Sequence, residues 1–110
     1  NMILENNTIQ PFVNIGSNNV LWSGNHIGHD VNIKNHCFIT SQVVVSGFTT
    51  IENNCFIGVN STLRDNITIG QLSLIGAGVT LMHSTEKELN RRWIWLTNRW
   101  TFSRRHKDTL

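Results

Sequence analysis

Aliphatic side chains recur at every sixth position of this chain, and the positions between them are mostly polar or small. A fixed period of this kind is typical of proteins built from stacked structural units. Six differs from the 3.6-residue period of a helix and from the two-residue period of an ordinary strand. It predicts a coil of three short strands, 18 residues long, with the aliphatic side chains pointing inward. The fourteen aliphatic positions are Ile3, Ile9, Ile15, Leu21, Ile27, Ile33, Ile39, Val45, Ile51, Ile57, Leu63, Ile69, Ile75 and Leu81.

The repeat ends after Leu81, and a helical pattern follows it. Thr85 and Glu88 have the spacing of a capping box at a helix N-terminus. We therefore divide the chain into a β-helix domain, residues 1–82, and a basic, Trp-rich tail, residues 83–110, with an amphipathic helix over roughly 86–101. This helix is expected to cover the open end of the β-helix, although a membrane-surface or partner-binding helix and a segment foreign to the domain are alternatives. Its apolar face is formed by Leu89, Trp93, Leu96 and Trp100.

Composition and charge narrow the possible functions. The chain has 110 residues, enough for one small domain, and a formal net charge of +2. Its basic residues are concentrated in the tail, which does not make a nucleic-acid-binding surface. No apolar run reaches the length of a membrane span and no signal peptide is present, so we expect a cytoplasmic protein. Because the chain begins inside a repeat, we also expect it to be the C-terminal part of a longer protein.

The cysteines and histidines are the side chains that could bind a metal. Residues 18 apart should lie above one another, which places Cys37 and Cys55 in one inward column as buried, reduced thiols. His26, His29 and His36 fall within one coil, but their spacing does not fit a zinc site and no catalytic Glu is near them. We therefore expect no metal.

His29 is the candidate for acid–base chemistry. It follows the inward Ile27 by two residues, which places it at a corner with its side chain outward. The adjacent Asp30 can fix the tautomer of the imidazole. Gly47 lies one coil away and leaves space in which a substrate carbonyl could approach the ring. His26 is a second candidate, as a base or a substrate contact, and His36 is expected to be structural.

The stretch from Leu21 to Gly78 also carries a set of motifs, which are His29-Asp30, Cys37-Phe38-Ile39, Ser46-Gly47, Gly58-Val59-Asn60-Ser61 and Ile75-Gly76-Ala77-Gly78. This stretch resembles the C-terminal domain of bacterial sugar acetyltransferases, the family of sialic acid O-acetyltransferases and amino-sugar N-acetyltransferases. The six-residue repeat predicts an all-β parallel β-helix, but period and spacing alone do not determine its hand. The resemblance implies that it is left-handed.

The resemblance also implies an activity and a set of site residues. His29 would be the general base and Asp30 its orienting partner in transfer of an acetyl group from acetyl-CoA to an amine or hydroxyl of a bacterial, nucleotide-linked sugar. The enzyme would be a homotrimer with the cofactor between adjacent subunits. The cofactor contacts would be Phe38, Gly47, Val59 and Ala77. Phe38 stands where the family has a histidine, and the Gly47 N–H is our candidate oxyanion donor.

Two other functions fit the same sequence. A trimeric β-helix that has lost its substrate domain would be a structural or assembly module without catalysis. A metal-dependent lyase of the carbonic anhydrase type is the alternative enzyme class. Stoichiometric zinc would indicate the lyase, and indifference to loss of the His29 side chain would indicate the assembly module.

Overall fold

The computed structural model describes residues 1–85, which form a coil of very short strands. Each strand contains two residues, the second of which is an aliphatic residue of the repeat. The predicted six-residue repeat is confirmed along this whole stretch. The fourteen strands are β1 (Met2–Ile3), β2 (Thr8–Ile9), β3 (Asn14–Ile15), β4 (Val20–Leu21), β5 (His26–Ile27), β6 (Asn32–Ile33), β7 (Phe38–Ile39), β8 (Val44–Val45), β9 (Thr50–Ile51), β10 (Phe56–Ile57), β11 (Thr62–Leu63), β12 (Thr68–Ile69), β13 (Leu74–Ile75) and β14 (Thr80–Leu81).

The strands pair in parallel to form three sheets, which are the three sides of a prism. Sheet A contains β1, β4, β7, β10 and β13, sheet B contains β2, β5, β8, β11 and β14, and sheet C contains β3, β6, β9 and β12. Every pairing joins residues 18 apart, such as Ile39 with Ile57. The all-β solenoid predicted from the repeat is therefore confirmed. Its left-handed sense stays a prediction from the resemblance.

The core is the column of aliphatic side chains inside the prism. From Leu21 to Leu81 every member of the repeat is fully buried. In the first coil Ile3 and Ile9 are 42% and 40% exposed. Burial of each aliphatic side chain contributes roughly 1.5–3 kcal/mol, and this column is the main source of stability.

Side chains of a second inward column donate hydrogen bonds to backbone carbonyl groups at the corners. Its small side chains donate to carbonyl groups 15 residues further along: Thr49 Oγ1 to Arg64 at 2.7 Å and Ser61 Oγ to Gly76 at 2.9 Å. The thiols of Cys37 and Cys55 do the same at 3.0 and 3.2 Å. Buried carbonyls need such partners, which accounts for the Ser, Thr and Cys residues of this column; Val and Ile occupy other positions in it.

The two cysteines are buried and unbridged, as predicted. The hydrogen bond with the Cys37 sulfur, together with burial, raises the pKa of the Cys55 thiol well above its ordinary value. Cys55 therefore stays protonated at neutral pH, and its role is packing and hydrogen bonding rather than nucleophilic chemistry.

At the end of the described stretch, residues 84–85 continue the hydrogen bonding of sheet C. The Thr85 N–H donates to the Thr68 carbonyl at 3.0 Å, and Thr85 Oγ1 accepts from the Gly70 N–H at 2.8 Å. The helix predicted over 86–101 lies outside the described residues, so the division of the chain at residue 82 stays a prediction. Residues 1–85 contain no helix long and apolar enough to cross a membrane.

Candidate functional site

Three corners join the sheets, and the predicted site residues lie at two of them or beside them. The A/B corner joins sheet A to sheet B, the B/C corner joins sheet B to sheet C, and the C/A corner completes the coil. The A/B corner comprises residues 4–7, 22–25, 40–43, 58–61 and 76–79; the B/C corner 10–13, 28–31, 46–49 and 64–67; and the C/A corner 16–19, 34–37, 52–55 and 70–73.

His29 and Asp30 form an ion-pair geometry at the B/C corner. The His29 side chain points outward and is 53% exposed, and its Nδ1 lies 3.2 Å from Asp30 Oδ2. A proton on Nδ1 is donated to the carboxylate in this arrangement, which leaves Nε2 as the acceptor. The Asp30 backbone is itself held by its N–H, which donates to the Pro11 carbonyl at 3.2 Å. The pair can therefore take up a proton at Nε2 from a group that approaches from solvent.

The imidazole of His29 lies over Gly47 in the next coil. A Cβ atom on Gly47 would be 2.8 Å from Cε1, 2.9 Å from Nε2 and 3.2 Å from Nδ1 of the ring. The edge of the ring also packs against Phe48, with centroids 5.2 Å apart and planes at 86°. The sequence analysis expected a substrate carbonyl in the space over Gly47; on the side where a Cβ would stand, the imidazole itself occupies that space.

We predict that Gly47→Ala displaces the His29 ring without unfolding the chain. The new methyl group would overlap the ring, which can rotate into solvent, so the unfolding free energy should change by less than about 1 kcal/mol. Imidazole resonances in NMR spectra should show the loss of the contact with Asp30. Gly58→Ala is the control, because its Cβ would meet the backbone of Gly76 at 2.6 Å and should destabilise the fold strongly. An unmoved ring in Gly47→Ala would contradict the prediction.

A groove of about 540 Å³ runs along the A/B corner. Val59 and Ala77 line it, one coil apart, as their spacing of 18 residues predicts. Four residues stacked at intervals of 18 along this corner decrease in side-chain size, from Trp22 to Thr40 and then to Gly58 and Gly76. The groove deepens in the same direction because the smaller residues leave more space. Its other lining residues are Ser41 and Phe56, so the surface is mainly apolar.

Phe38 does not line this groove but packs against two residues that do. Its ring lies on the outer face of sheet A, between the edges of Trp22 at 5.3 Å and Phe56 at 5.4 Å. These two neighbours form part of the groove wall. Direct contact between Phe38 and a cofactor stays a prediction.

Unpaired backbone donors occur at both corners. Within residues 1–85, the N–H groups of Gly47, Val59 and Ala77 donate to no backbone or side-chain acceptor. Some equivalent corner N–H groups are paired with side chains, as His29 is with Gln10 Oε1 at 3.0 Å, whereas those of Ser41 and Asn53 are also unpaired within residues 1–85. The three predicted contacts thus offer donors to a bound molecule.

His26 lies apart from both corners. It is on the outer face of sheet B, where it pairs with Thr8 and Val44 on the neighbouring strands, as predicted. His36 is also at a corner, and its Nδ1 lies 2.9 Å from Asn18 Nδ2. Among residues 1–85 no three His, Cys, Asp or Glu side chains are grouped so as to hold a metal ion.

Comparison with known proteins agrees with this architecture. The family described as bacterial transferase hexapeptide (six repeats) matches residues 48–83, which contain β9–β14 and the Val59–Ala77 side of the groove. Residues 48–83 thus match a hexapeptide-repeat family, and the same six-residue repeat runs through residues 1–85. No curated protein sequence matches the chain.

Two solved structures are similar to this chain, and the first of them shares its fold. A histidine-to-asparagine variant of perosamine N-acetyltransferase from Caulobacter crescentus, in complex with CoA and GDP-perosamine, is 15% identical with a TM-score of 0.63, covering 79% of this chain and 51% of that one. The acetyltransferase domain of PglB from Neisseria gonorrhoeae, in complex with acetyl coenzyme A, is 18% identical with a TM-score of 0.36, covering 88% and 54%. The chain spans about half the length of each.

The hexapeptide-repeat fold separates the predicted site residues into two groups. His29, Asp30 and Gly47 lie at the B/C corner, whereas Val59 and Ala77 lie at the A/B corner. These corners are the two ends of sheet B, and a full side of the prism lies between them. A single chain therefore does not bring the imidazole to the groove.

The sequence analysis missed several residues that shape these surfaces. Trp22, Thr40 and Phe56 line the groove, and Phe48 packs against His29. Comparison of residues at intervals of 18 along this corner would have shown the decrease in side-chain size from Trp22 to Gly58. Phe48 carried no such signal, because side-chain direction at a corner depends on backbone angles that the repeat does not specify.

Proposed function

We propose that this chain transfers an acetyl group from acetyl-CoA to an amine or hydroxyl of a nucleotide-linked sugar, with His29 as general base. The observation that carries the proposal is the outward His29–Asp30 pair at one corner together with an apolar groove at the next. The perosamine N-acetyltransferase that shares the fold binds CoA and GDP-perosamine, which supports the choice of donor and acceptor. We also propose that the reaction takes place in the cytoplasm.

In this proposal His29 Nε2 accepts the proton of the acceptor as its nitrogen or oxygen attacks the thioester carbonyl. Asp30 holds the ring orientation and stabilises the imidazolium that forms. The tetrahedral intermediate carries an oxyanion, for which the unpaired Gly47 N–H is the proposed donor. Collapse of the intermediate breaks the C–S bond, and the CoA thiolate takes the proton from the imidazolium. The products are the acetylated sugar and CoA.

The A/B groove suits the pantetheine arm of acetyl-CoA. Its volume of about 540 Å³ lies within the usual range for small-molecule sites. The apolar wall would contact the arm, and the unpaired N–H groups of Val59 and Ala77 would donate to its amide carbonyls. These two donors lie one coil apart, so an extended arm would run along the prism axis. Small side chains at both positions allow that approach.

The separation of the two corners supports a homotrimer in which each site is shared. If sheet B of three copies faces a common threefold axis, the A/B corner of each copy meets the B/C corner of the next. The groove of one subunit then lies beside His29 of its neighbour. The outer face of sheet B is compatible with close packing, because its side chains are uncharged apart from the titratable His26: Thr8, His26, Val44, Thr62 and Thr80.

Acetyl-CoA binding by the full chain, measured by calorimetry together with its mass in solution, tests this proposal. We expect a trimer with micromolar affinity, and transfer to at least one acceptor in a panel of nucleotide-linked amino sugars that includes GDP-perosamine. Ala77→Trp should abolish binding by filling the groove, whereas Gln71→Trp, at the C/A corner of the same coil, should not. A trimer without affinity for acetyl-CoA would contradict the proposal and favour an assembly module.

A further inference from the structure

Left-handed backbone angles recur at the corners, and most residues there tolerate them well. Within residues 1–85, eleven residues other than glycine have φ between 57° and 66°. Asn, Asp and His adopt this conformation most readily among non-glycine residues, and seven of the eleven are of these types. The exceptions are Phe12, Gln42, Phe48 and Leu72.

The two aromatic exceptions flank the His29–Asp30 pair. Phe12, Asp30 and Phe48 occupy the same corner of three consecutive coils. Main-chain bonds hold them in line, since the Asp30 N–H donates to Pro11 and the Phe48 N–H donates to His29 at 3.0 Å. Two coil spacings of about 4.8 Å each separate the backbones of the phenylalanines by about 10 Å, and the pair lies between them.

Neither phenyl ring contributes to the core. Phe12 is 82% exposed and Phe48 is 57% exposed. A left-handed backbone conformation is strained for an aromatic residue. An exposed side chain offsets little of this cost, because it buries little apolar surface. Strained residues of this kind concentrate at sites that bind ligands, and here they occur on the two coils adjacent to the proposed base.

We infer that Phe12 and Phe48 are specificity-determining residues, which pack against the C–H face of the acceptor sugar ring beside His29. This inference rests on the proposed function. Phe48 already contacts the imidazole. A sugar whose amine or hydroxyl group gives its proton to Nε2 must therefore lie within reach of the Phe48 phenyl group. A sugar ring with few hydroxyl groups on one face presents contiguous C–H groups to such rings, and desolvation of the rings favours it over a more hydroxylated sugar.

Phe12→Asn and Phe48→Asn test the inference without threatening the fold. Asn is the commonest residue at these corners, so both variants should unfold at or above the wild-type temperature. With the best acceptor of the panel, Phe12→Asn should raise KM for the acceptor by about three- to tenfold, the effect expected from one aromatic contact. KM for acetyl-CoA should not change. The preference for a deoxy acceptor over its hydroxylated counterpart should fall in both variants.

Leu72→Asn is the matched control, because it makes the same substitution at a left-handed position of the C/A corner. It should leave both KM values and kcat at wild-type levels. Unchanged acceptor KM in Phe12→Asn and Phe48→Asn, with an active wild type, would overturn the inference and leave the proposed function standing. A loss of trimer mass in these variants would also overturn it, by assigning the phenyl rings to contact with a second copy. A wild type that acetylates no acceptor would contradict the proposed function itself, and the inference with it.

Discussion

Ile33→Asp should prevent the chain from folding. Ile33 is fully buried on β6, between Ile15 below and Ile51 above in the aliphatic column. Loss of a buried Ile side chain costs about 2–5 kcal/mol, and a carboxylate in its place adds a desolvation penalty of several kcal/mol. Domains of this size are stable by only about 5–15 kcal/mol. Circular dichroism should therefore show no β-structure in this variant.

Asn32→Asp provides the control for this prediction, because Asn32 precedes Ile33 on the same strand and points outward. It introduces the same carboxylate in a side chain of nearly the same shape, on the outer face of sheet C beside Asn14 and Thr50. Its unfolding temperature should stay within a few degrees of wild type, since surface substitutions change stability by about 0.5 kcal/mol or less. A folded Ile33→Asp with a cooperative melt would show that the inward column is not the core.

The fold could be predicted from sequence because one physical requirement repeats without interruption. Each strand has only two residues, so one must point inward and must be aliphatic, and Leu21 to Leu81 obey this at every sixth position. The stacking of equivalent residues follows from the same period, as the burial of Cys37 above Cys55 illustrates. Long-range contacts in this fold are fixed by a constant offset of 18 residues, so the sequence specifies them directly.

The site was less predictable, for two physical reasons. The imidazole of His29 lies over Gly47 because of its rotamer, and the repeat does not determine rotamers at exposed corners. The groove depends on a gradient of side-chain size from Trp22 to Gly76, which spans several coils and is not visible within one motif. The separation of His29 from Ala77 by a side of the prism did follow from their positions in the period. The predicted site residues therefore lie on two surfaces of one chain, as the proposed site shared between copies requires.

His29→Ala should reduce acetyl transfer by about a hundred- to ten-thousandfold, the range that removal of a general base produces. The fold should survive, because the side chain is 53% exposed and its only side-chain polar contact within residues 1–85 is with Asp30. Binding of acetyl-CoA should persist, since the proposed groove is at the other corner. Steady-state kcat, calorimetric affinity and the unfolding temperature separate these effects.

His36→Ala is the matched control for this last prediction. His36 is another exposed imidazole at a left-handed corner, and it contacts Asn18 rather than a carboxylate. Its removal should leave kcat unchanged, whereas Asp30→Asn should lower kcat by less than His29→Ala, because the base would remain with a poorly fixed tautomer. Wild-type kcat in His29→Ala would exclude the imidazole as the base. Unfolding of His29→Ala would show instead that the ring over Gly47 stabilises the B/C corner. A stable His36→Ala would then show that this effect is specific to His29.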